Sequence, residues 1–357
     1  MRATLLLVVA VGSLGAAETP NNVAAQLDAL VEAVKSGEAS RIAAADRAFQ
    51  ALCLAAARPG APDERKAVAT SLAGRLGDTI PAAAKLLVVR QLQAIGREES
   101  VGALAKLLAD RSEAGLWEAA RRALESNPTA MALRALRKAY TGASGEARIA
   151  LIQSLGARCD ILSLGELLSD GRSDERNLKL AALEALSRLG DRQAVDVFEE
   201  TLKAQSPDRP RIVALYFQLA GSMGEGEEGG ASRRVYLRFL SGSPEERCAA
   251  ITGLGSAGIP TEAPALLDAL DDPHSPTRDA AREALARLRG ATKAIGERLA
   301  AAKTTARRVE LIRILGARRG RTARGDEEAA AIIAPLVNDA DAAVKAAAIE
   351  SLRRADR

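Results

Sequence analysis

Aromatic residues are nearly missing from this chain. Four Phe, three Tyr and one Trp make up 2% of its 357 residues, although 48% are hydrophobic. A compact single core of this length normally draws on aromatic rings, each of which buries a large area. Ala and Leu carry the apolar content instead, and both are strong helix formers. The composition therefore points to helices in a thin, extended packing. Histidine is as scarce, with His274 as the one copy, so chemistry built on several imidazoles is excluded. Cys53, Cys159 and Cys248 are odd in number, far apart and set in helical apolar patterns. They read as small buried hydrophobes and not as a disulfide framework.

Net charge is small too. Fifty basic and 46 acidic residues give +4, so the chain is no polycation, and nucleic acid could be held only through a local patch. No apolar run reaches the roughly 20 residues of a membrane span. The N-terminus does carry Arg2, the apolar run Ala3–Val11 and the small residues Gly15, Ala16 and Ala17. That order is the pattern of a cleaved export signal over residues 1–17. It places the mature protein outside the cytoplasm, periplasmic or extracellular in a bacterium.

What is present is a repeat. A nine-residue phrase recurs, with a basic or large second residue, small fourth and fifth residues and an apolar ninth. Leu116-Trp-Glu-Ala-Ala-Arg-Arg-Ala-Leu124, Leu178-Lys-Leu-Ala-Ala-Leu-Glu-Ala-Leu186 and Thr277-Arg-Asp-Ala-Ala-Arg-Glu-Ala-Leu285 are examples. The ninth positions are Ile95, Leu124, Leu155, Leu186, Leu219, Leu254, Leu285, Leu315 and Leu352. Successive steps run from 29 (124 − 95) to 37 (352 − 315) and cluster near 31. Amphipathic segments such as Val101–Leu108, Met131–Lys138 and Ala194–Leu202 precede several copies at the helical period.

The unit is thus helix A, a tight turn, then helix B. A pair this short cannot bury its apolar stripe alone, so neighbours must stack. The expectation is an all-α fold, an α-solenoid of about eight stacked antiparallel helix pairs over residues 85–357. Residues 18–84 are less regular, with a step of only 19 from Leu76 to Ile95, and read as a degenerate helical cap.

The phrases Asp271-Asp-Pro-His-Ser-Pro-Thr-Arg-Asp-Ala280 and Asn338-Asp-Ala-Asp-Ala-Ala-Val-Lys-Ala-Ala347 resemble HEAT repeats. The short turns and unit length are most similar to the HEAT-like repeats of the phycobilisome-lyase type. The resemblance implies turn Asp residues tied to an early Arg or Lys of helix B: Asp170 with Lys179, Asp272 with Arg278, Asp339 with Lys345. It is specific for fold and nearly silent on function. HEAT proteins resembling deoxyhypusine hydroxylase hold a di-iron centre on several His-Glu pairs. With one His and no such pair, that ligand set is missing here. No CxxC or HExxH occurs. His274 and Ser275 share one turn with Asp271 and Asp272, where a triad would draw them from separate elements. Gly224-Glu-Gly-Glu-Glu-Gly229 matches a dinucleotide fingerprint only as a string, since it follows a helix and carries three Glu.

No catalytic, metal or cofactor site is implied. Two features suggest a binding surface. Trp117 occupies the second slot of its phrase, which is Arg or Lys in most copies, and Trp is enriched where partners anchor. Residues 289–324 hold eleven basic residues against Glu297 and Glu310, a local +11 − 2 = +9. Within that segment Arg307, Arg308, Arg313, Arg318, Arg319, Arg321 and Arg324 are the candidate contacts, and the last four lack acidic sequence neighbours. The expected function is a non-catalytic, exported scaffold for a protein partner with an acidic surface. Alternatives are an anionic-polymer or nucleic-acid binder acting through 289–324, and, disfavoured for want of ligands, an accessory of HEAT-repeat lyases or hydroxylases.

Overall fold

A computed structural model describes residues 19–77, 79–223, 229–258, 260–318 and 323–353. The expected export signal, Arg319 and Arg321 lie outside the described residues, and so does the side chain of Arg324. Every regular element among the described residues is helical. None of these helices is long and apolar enough to cross a membrane. The chain divides into two compact units, Met1–Gly165 and Glu166–Arg357.

The first unit holds α1 (Thr19–Ser36), α2 (Ala39–Ala56), α3 (Pro62–Arg75), α4 (Ala82–Ile95), α5 (Glu98–Ala109), α6 (Ala114–Ser126), α7 (Ala130–Thr141) and α8 (Gly145–Ala157). Helix α9 (Leu164–Asp170) straddles the point of division. Odd-numbered helices α1, α3, α5 and α7 pack along one another as an A row, and α2, α4, α6 and α8 form the B row. This two-row order begins at α1. Residues 18–84 are therefore not set apart in kind. Leu76 immediately follows α3, an A-row helix, so its step of 19 to Ile95 runs between partners of one pair and not between repeats.

The second unit continues with α10 (Arg176–Leu189), α11 (Ala194–Lys203), α12 (Arg209–Ser222), α13 (Gly229–Arg238), α14 (Pro244–Ala257), α15 (Ala263–Asp268) and α16 (Ser275–Arg287). It ends with α17 (Thr292–Ala301), α18 (Thr305–Arg318), α19 (Ala323–Ile333) and α20 (Ala342–Arg353). Here α10, α12, α14, α16, α18 and α20 make the B row, and α15, α17 and α19 pack in sequence as part of the A row. The chain is an all-α solenoid of stacked helix pairs in each unit.

The repeat's physical logic is visible at the ninth position. Leu124, Leu155, Leu186, Leu219, Leu254, Leu285 and Leu315 are all fully buried. Each such Leu contributes roughly 1.5–3 kcal/mol of apolar burial. The residue after it is often small, because the next B helix comes close. A Cβ on Gly255 would collide with Ala284 of α16, and one on Gly316 would collide with Ser351 of α20. Bulkier residues there would push the B row apart. The few aromatics gather where the repeat step lengthens to 33 and 35 residues (219 − 186 and 254 − 219). Phe198 stacks on Tyr216 at 5.1 Å, and Phe217 meets Tyr236 and Phe239 at 5.9 and 4.9 Å.

Candidate partner-binding surfaces

Second-slot arginines turn out to be tie-bars of the repeat. Arg148 donates to the carbonyls of Tyr140 and Ala143 at 3.3 Å and lies 4.4 Å over the Tyr140 ring. Arg278 donates to the carbonyls of Asp272 and Pro273 at 2.7 and 3.0 Å. Each thereby satisfies carbonyls in the turn leading into its own helix. The turn carboxylates reach backward instead. Asp272 accepts from Arg247 of the preceding B helix at 2.7 and 3.0 Å, and Asp339 accepts from Arg308 of α18. The expected pairs Asp272–Arg278 and Asp339–Lys345 are thus corrected to Asp272–Arg247 and Asp339–Arg308. Lys345 stands exposed with no side-chain partner among the described residues. The guanidiniums hold Asp272 and Asp339 below the usual carboxylate range, the Arg hydrogen bond being the main cause in each.

This ladder absorbs half of the eight basic residues of the segment whose side chains are described. Arg307 pairs with Asp271 and, at 2.5 Å, with Glu310. Arg308 is held by Asp339. Arg298 reaches Asp268 at 2.5 Å. Arg318 departs furthest from the free contact expected of it. It ends α18, is only 6% exposed, and donates to the Leu285 carbonyl and to Thr292 Oγ1, the latter at 3.1 Å. Burial lowers its pKa. Arg158, in the equivalent place three residues past Leu155, donates to the Leu124 carbonyl at 3.3 Å and to the Glu125 carbonyl at 3.1 Å. Both arginines cap the C-terminal carbonyls of the preceding B helix, where a cation is favoured. Arg318 is therefore a structural cap and not a free contact. Of the candidates with described side chains in this segment, Arg313 alone is exposed and without a partner among the described residues.

A cleft of about 820 Å³ lies on this face between α16 and α18. Its lining charges are Arg282, Arg307 and Arg313 with Asp279, Glu283 and Glu310, three of each sign. They neutralise one another through Arg282–Glu310 at 2.6 Å, Arg282–Asp279 and Arg307–Glu310.

Trp117 sits in a different setting. It is half-buried on α6, and the Arg111 guanidinium from the turn before α6 lies 5.4 Å from its ring centre. The usual arrangement is inverted here, with the turn supplying the cation and the helix the partner. A cleft of about 590 Å³ opens beside the indole, between α5 and α7. Trp117 is its large partly open apolar residue, Leu108 and Leu151 lie buried in its floor, and Ala105, Ala135 and Ala139 leave it room. A second cleft of about 540 Å³, with Glu118, Ser144 and Glu146 in its wall, flanks the other side of Trp117.

Behind Trp117 the B row is locked by a polar network. Arg121, 7% exposed, donates to Glu118 at 2.7 and 2.8 Å, to Glu125 at 2.7 Å and to Ser154 Oγ at 2.5 Å, joining α6 to α8. Hydrogen bonds from Arg121 and Arg122 draw the Glu118 pKa down to about 2.

The remaining sequence candidates have local roles. His274 precedes α16, its Nδ1 is 3.0 Å from Thr277 Oγ1, and its backbone N–H donates to Asp272 at 2.8 Å. Asp272 faces Arg247, not the imidazole. Cys53 is buried and its thiol is pushed up to about 12 by desolvation. Cys159 is exposed at φ +48°, contrary to the buried reading. Among the described residues no group of three His, Cys, Asp or Glu gathers as metal ligands would.

No family model and no curated protein matches the chain. Solved structures do. The karyopherin Kap121p bound to the SUMO protease Ulp1p is 14% identical with a TM-score of 0.44, covering 93% of this chain and 45% of its own. Importin beta is 14% identical with a TM-score of 0.45, covering 95% of this chain and 58% of its own. Human deoxyhypusine hydroxylase is 19% identical with a TM-score of 0.32, over 82% and 97% of the two chains. The chain thus spans about half the length of the karyopherins it matches.

Proposed function

We propose that this protein is a non-catalytic scaffold that binds another protein, and that it works outside the cytoplasm. The carrying observation is Trp117, half-buried beside two clefts on a helix whose Glu118 and Glu125 are held by Arg121. A large, half-buried ring bordering open clefts is the form of an interface anchor, and truncating such a residue typically costs about 2 kcal/mol or more of binding. The remainder of the described framework is tied together from repeat to repeat by Arg–Asp and Arg–carbonyl links, which hold the presenting helices in register.

The experiment is affinity capture from the envelope fraction of the source cells with wild type and Trp117→Ala. The reading expects a protein retained by wild type and depleted with the variant. Equal capture by both would overturn Trp117 as the anchor, and no capture by either would overturn the scaffold. Export rests on Arg2, Ala3–Val11 and Ala17. It is tested by N-terminal sequencing of the native protein: a start near Glu18 supports it and an intact Met1 contradicts it.

The polymer-binding alternative rested on the 289–324 charge. Pairing of Arg298, Arg307 and Arg308 and burial of Arg318 remove much of its basis.

A further inference from the structure

The cleft between α5 and α7 differs from every other charged region described above in one respect. Lys106, Arg111, Arg134 and Lys138 line it, and no carboxylate does. None of the four makes an ion pair among the described residues; Arg111 lies over the Trp117 ring and also borders the second cleft, whose wall holds Glu118 and Glu146. Lys106, Arg134 and Lys138 are exposed at the margin, while Trp117 supplies apolar surface within, over the buried Leu108 and Leu151. In a chain whose arginines are otherwise so widely matched with Asp or Glu, four unmatched cations around one apolar cleft leave a local positive field. Such a field favours an anionic occupant and speeds its arrival.

From this we infer that the cleft binds an acidic peptide segment of a partner protein, seating an apolar side chain against Trp117 and its carboxylates on Lys106, Arg134 and Lys138. The inference rests on the scaffold reading and names the chemistry of its partner. The space suits it, since about 590 Å³ lies within the roughly 300–1,000 Å³ of small-ligand and side-chain sites. The spacing suits it as well. Arg134 and Lys138 are four residues apart on α7, so their Cβ atoms lie about 5–6 Å apart. Side chains on one face of an extended peptide repeat every about 6.6 Å, twice the rise per residue. Single-stranded nucleic acid fits less well, because successive bases call for several stacking rings. Here Trp117 is the one aromatic residue in the lining.

Trp117 is the sole tryptophan of the chain, so its fluorescence reports on this cleft and on the neighbouring one that shares its indole, and the triple variant below tells the two apart. The test titrates the full protein with a peptide of alternating Glu and Leu, following Trp emission. Peptides of Lys–Leu and Glu–Ser and the polymer heparin serve as comparisons, at low and high salt. The expected result is saturable emission change with Glu–Leu, and weaker response to Lys–Leu and Glu–Ser. Affinity should fall as salt rises, because exposed charges are screened over about 10 Å at 0.1 M.

The variant carrying Lys106→Gln, Arg134→Gln and Lys138→Gln should bind Glu–Leu about tenfold more weakly, the sum of three exposed charge contacts. Its melting curve should match wild type, which separates lost binding from lost folding. Equal binding of Glu–Leu and Lys–Leu, or undiminished binding by the triple variant, would overturn the inference. Heparin competing more strongly than Glu–Leu would overturn it as well, giving the cleft to an anionic polymer. Envelope capture with the triple variant distinguishes the two readings. A partner retained by wild type and triple variant alike keeps the scaffold and sinks the cleft, whereas no partner for either sinks the scaffold.

Discussion

The α16–α18 face and the α5–α7 cleft are both rich in basic residues, and they use them in opposite ways. On α16 and α18 each described arginine but Arg278, Arg287 and Arg313 is engaged by a group about one repeat away: Arg307 by Asp271, Arg308 by Asp339, Arg318 by the Leu285 carbonyl and Arg282 by Glu310, while Arg278 holds the Asp272 carbonyl of its own turn. Arg287 is paired within its own helix to Glu283. Around Trp117 the cations have no such counterpart. Charge density along the chain therefore does not locate a binding surface in a repeat protein. Matching has to be counted as well, and it is set by neighbours one helix pair away.

The comparison breaks first at Arg318. Arg318→Glu puts a carboxylate against the Leu285 carbonyl in a buried site, and the expected cost is about 3–5 kcal/mol of unfolding free energy. Denaturant unfolding checks this. A variant as stable as wild type would return Arg318 to the set of free surface cations.

Arg308→Ala comes next. It removes the pair with Asp339 that pins the turn before α20, and a charged hydrogen bond of this partly exposed kind is worth about 1–2 kcal/mol. The same denaturant titration reads it, and Lys345→Ala, which has no described partner, is the control expected to change little.

The Arg121 network offers a third test, through pH. Glu118 titrates at about 2 in the folded protein, below its ordinary value of 4.5, chiefly through its Arg121 hydrogen bond. A depressed carboxylate stabilises the fold above the unfolded-state value and loses that contribution as pH falls toward the folded one. The stability gap between wild type and Glu118→Gln should therefore be full above pH 4.5, narrow below it, and close near pH 2. A gap that is flat with pH would mean that the Glu118–Arg121 pair does not stabilise α6 against α8.

The smallest stability effect is expected in the cleft itself. Neutralising Lys106, Arg134 or Lys138 singly should shift unfolding free energy by no more than about 0.5 kcal/mol, as surface changes away from networks do. A much larger loss would reveal a structural role for these cations.

The helix pairs were legible because the repeat writes its buried positions at a fixed step. Leu124 through Leu315 are all inside, as a period near 31 requires. The N-terminal step of 19 residues was harder to interpret because one apolar closing residue looks like another: Leu76 follows an A helix, and only packing tells the rows apart. Arg318 was misread for a related reason. Its partner carbonyl belongs to Leu285, 33 residues earlier, and a scan of sequence neighbours looks for acids nearby, not for a helix end one repeat back. Trp117 stood out as the odd second slot. Lys106 and Lys138 did not, because a lysine in the last turn of an amphipathic helix is the ordinary choice against the helix dipole. That two such lysines and Arg134 share one cleft with the indole depends on how α5, α6 and α7 pack.

The most direct test measures stability and Glu–Leu peptide affinity together in two variants. One is the triple Lys106→Gln, Arg134→Gln, Lys138→Gln, and the other is the double Arg307→Gln, Arg308→Gln. The account predicts a crossed result: the first keeps its stability and loses affinity, while the second loses stability and keeps affinity. The reverse pattern, with affinity lost only in the α18 variant, would contradict it.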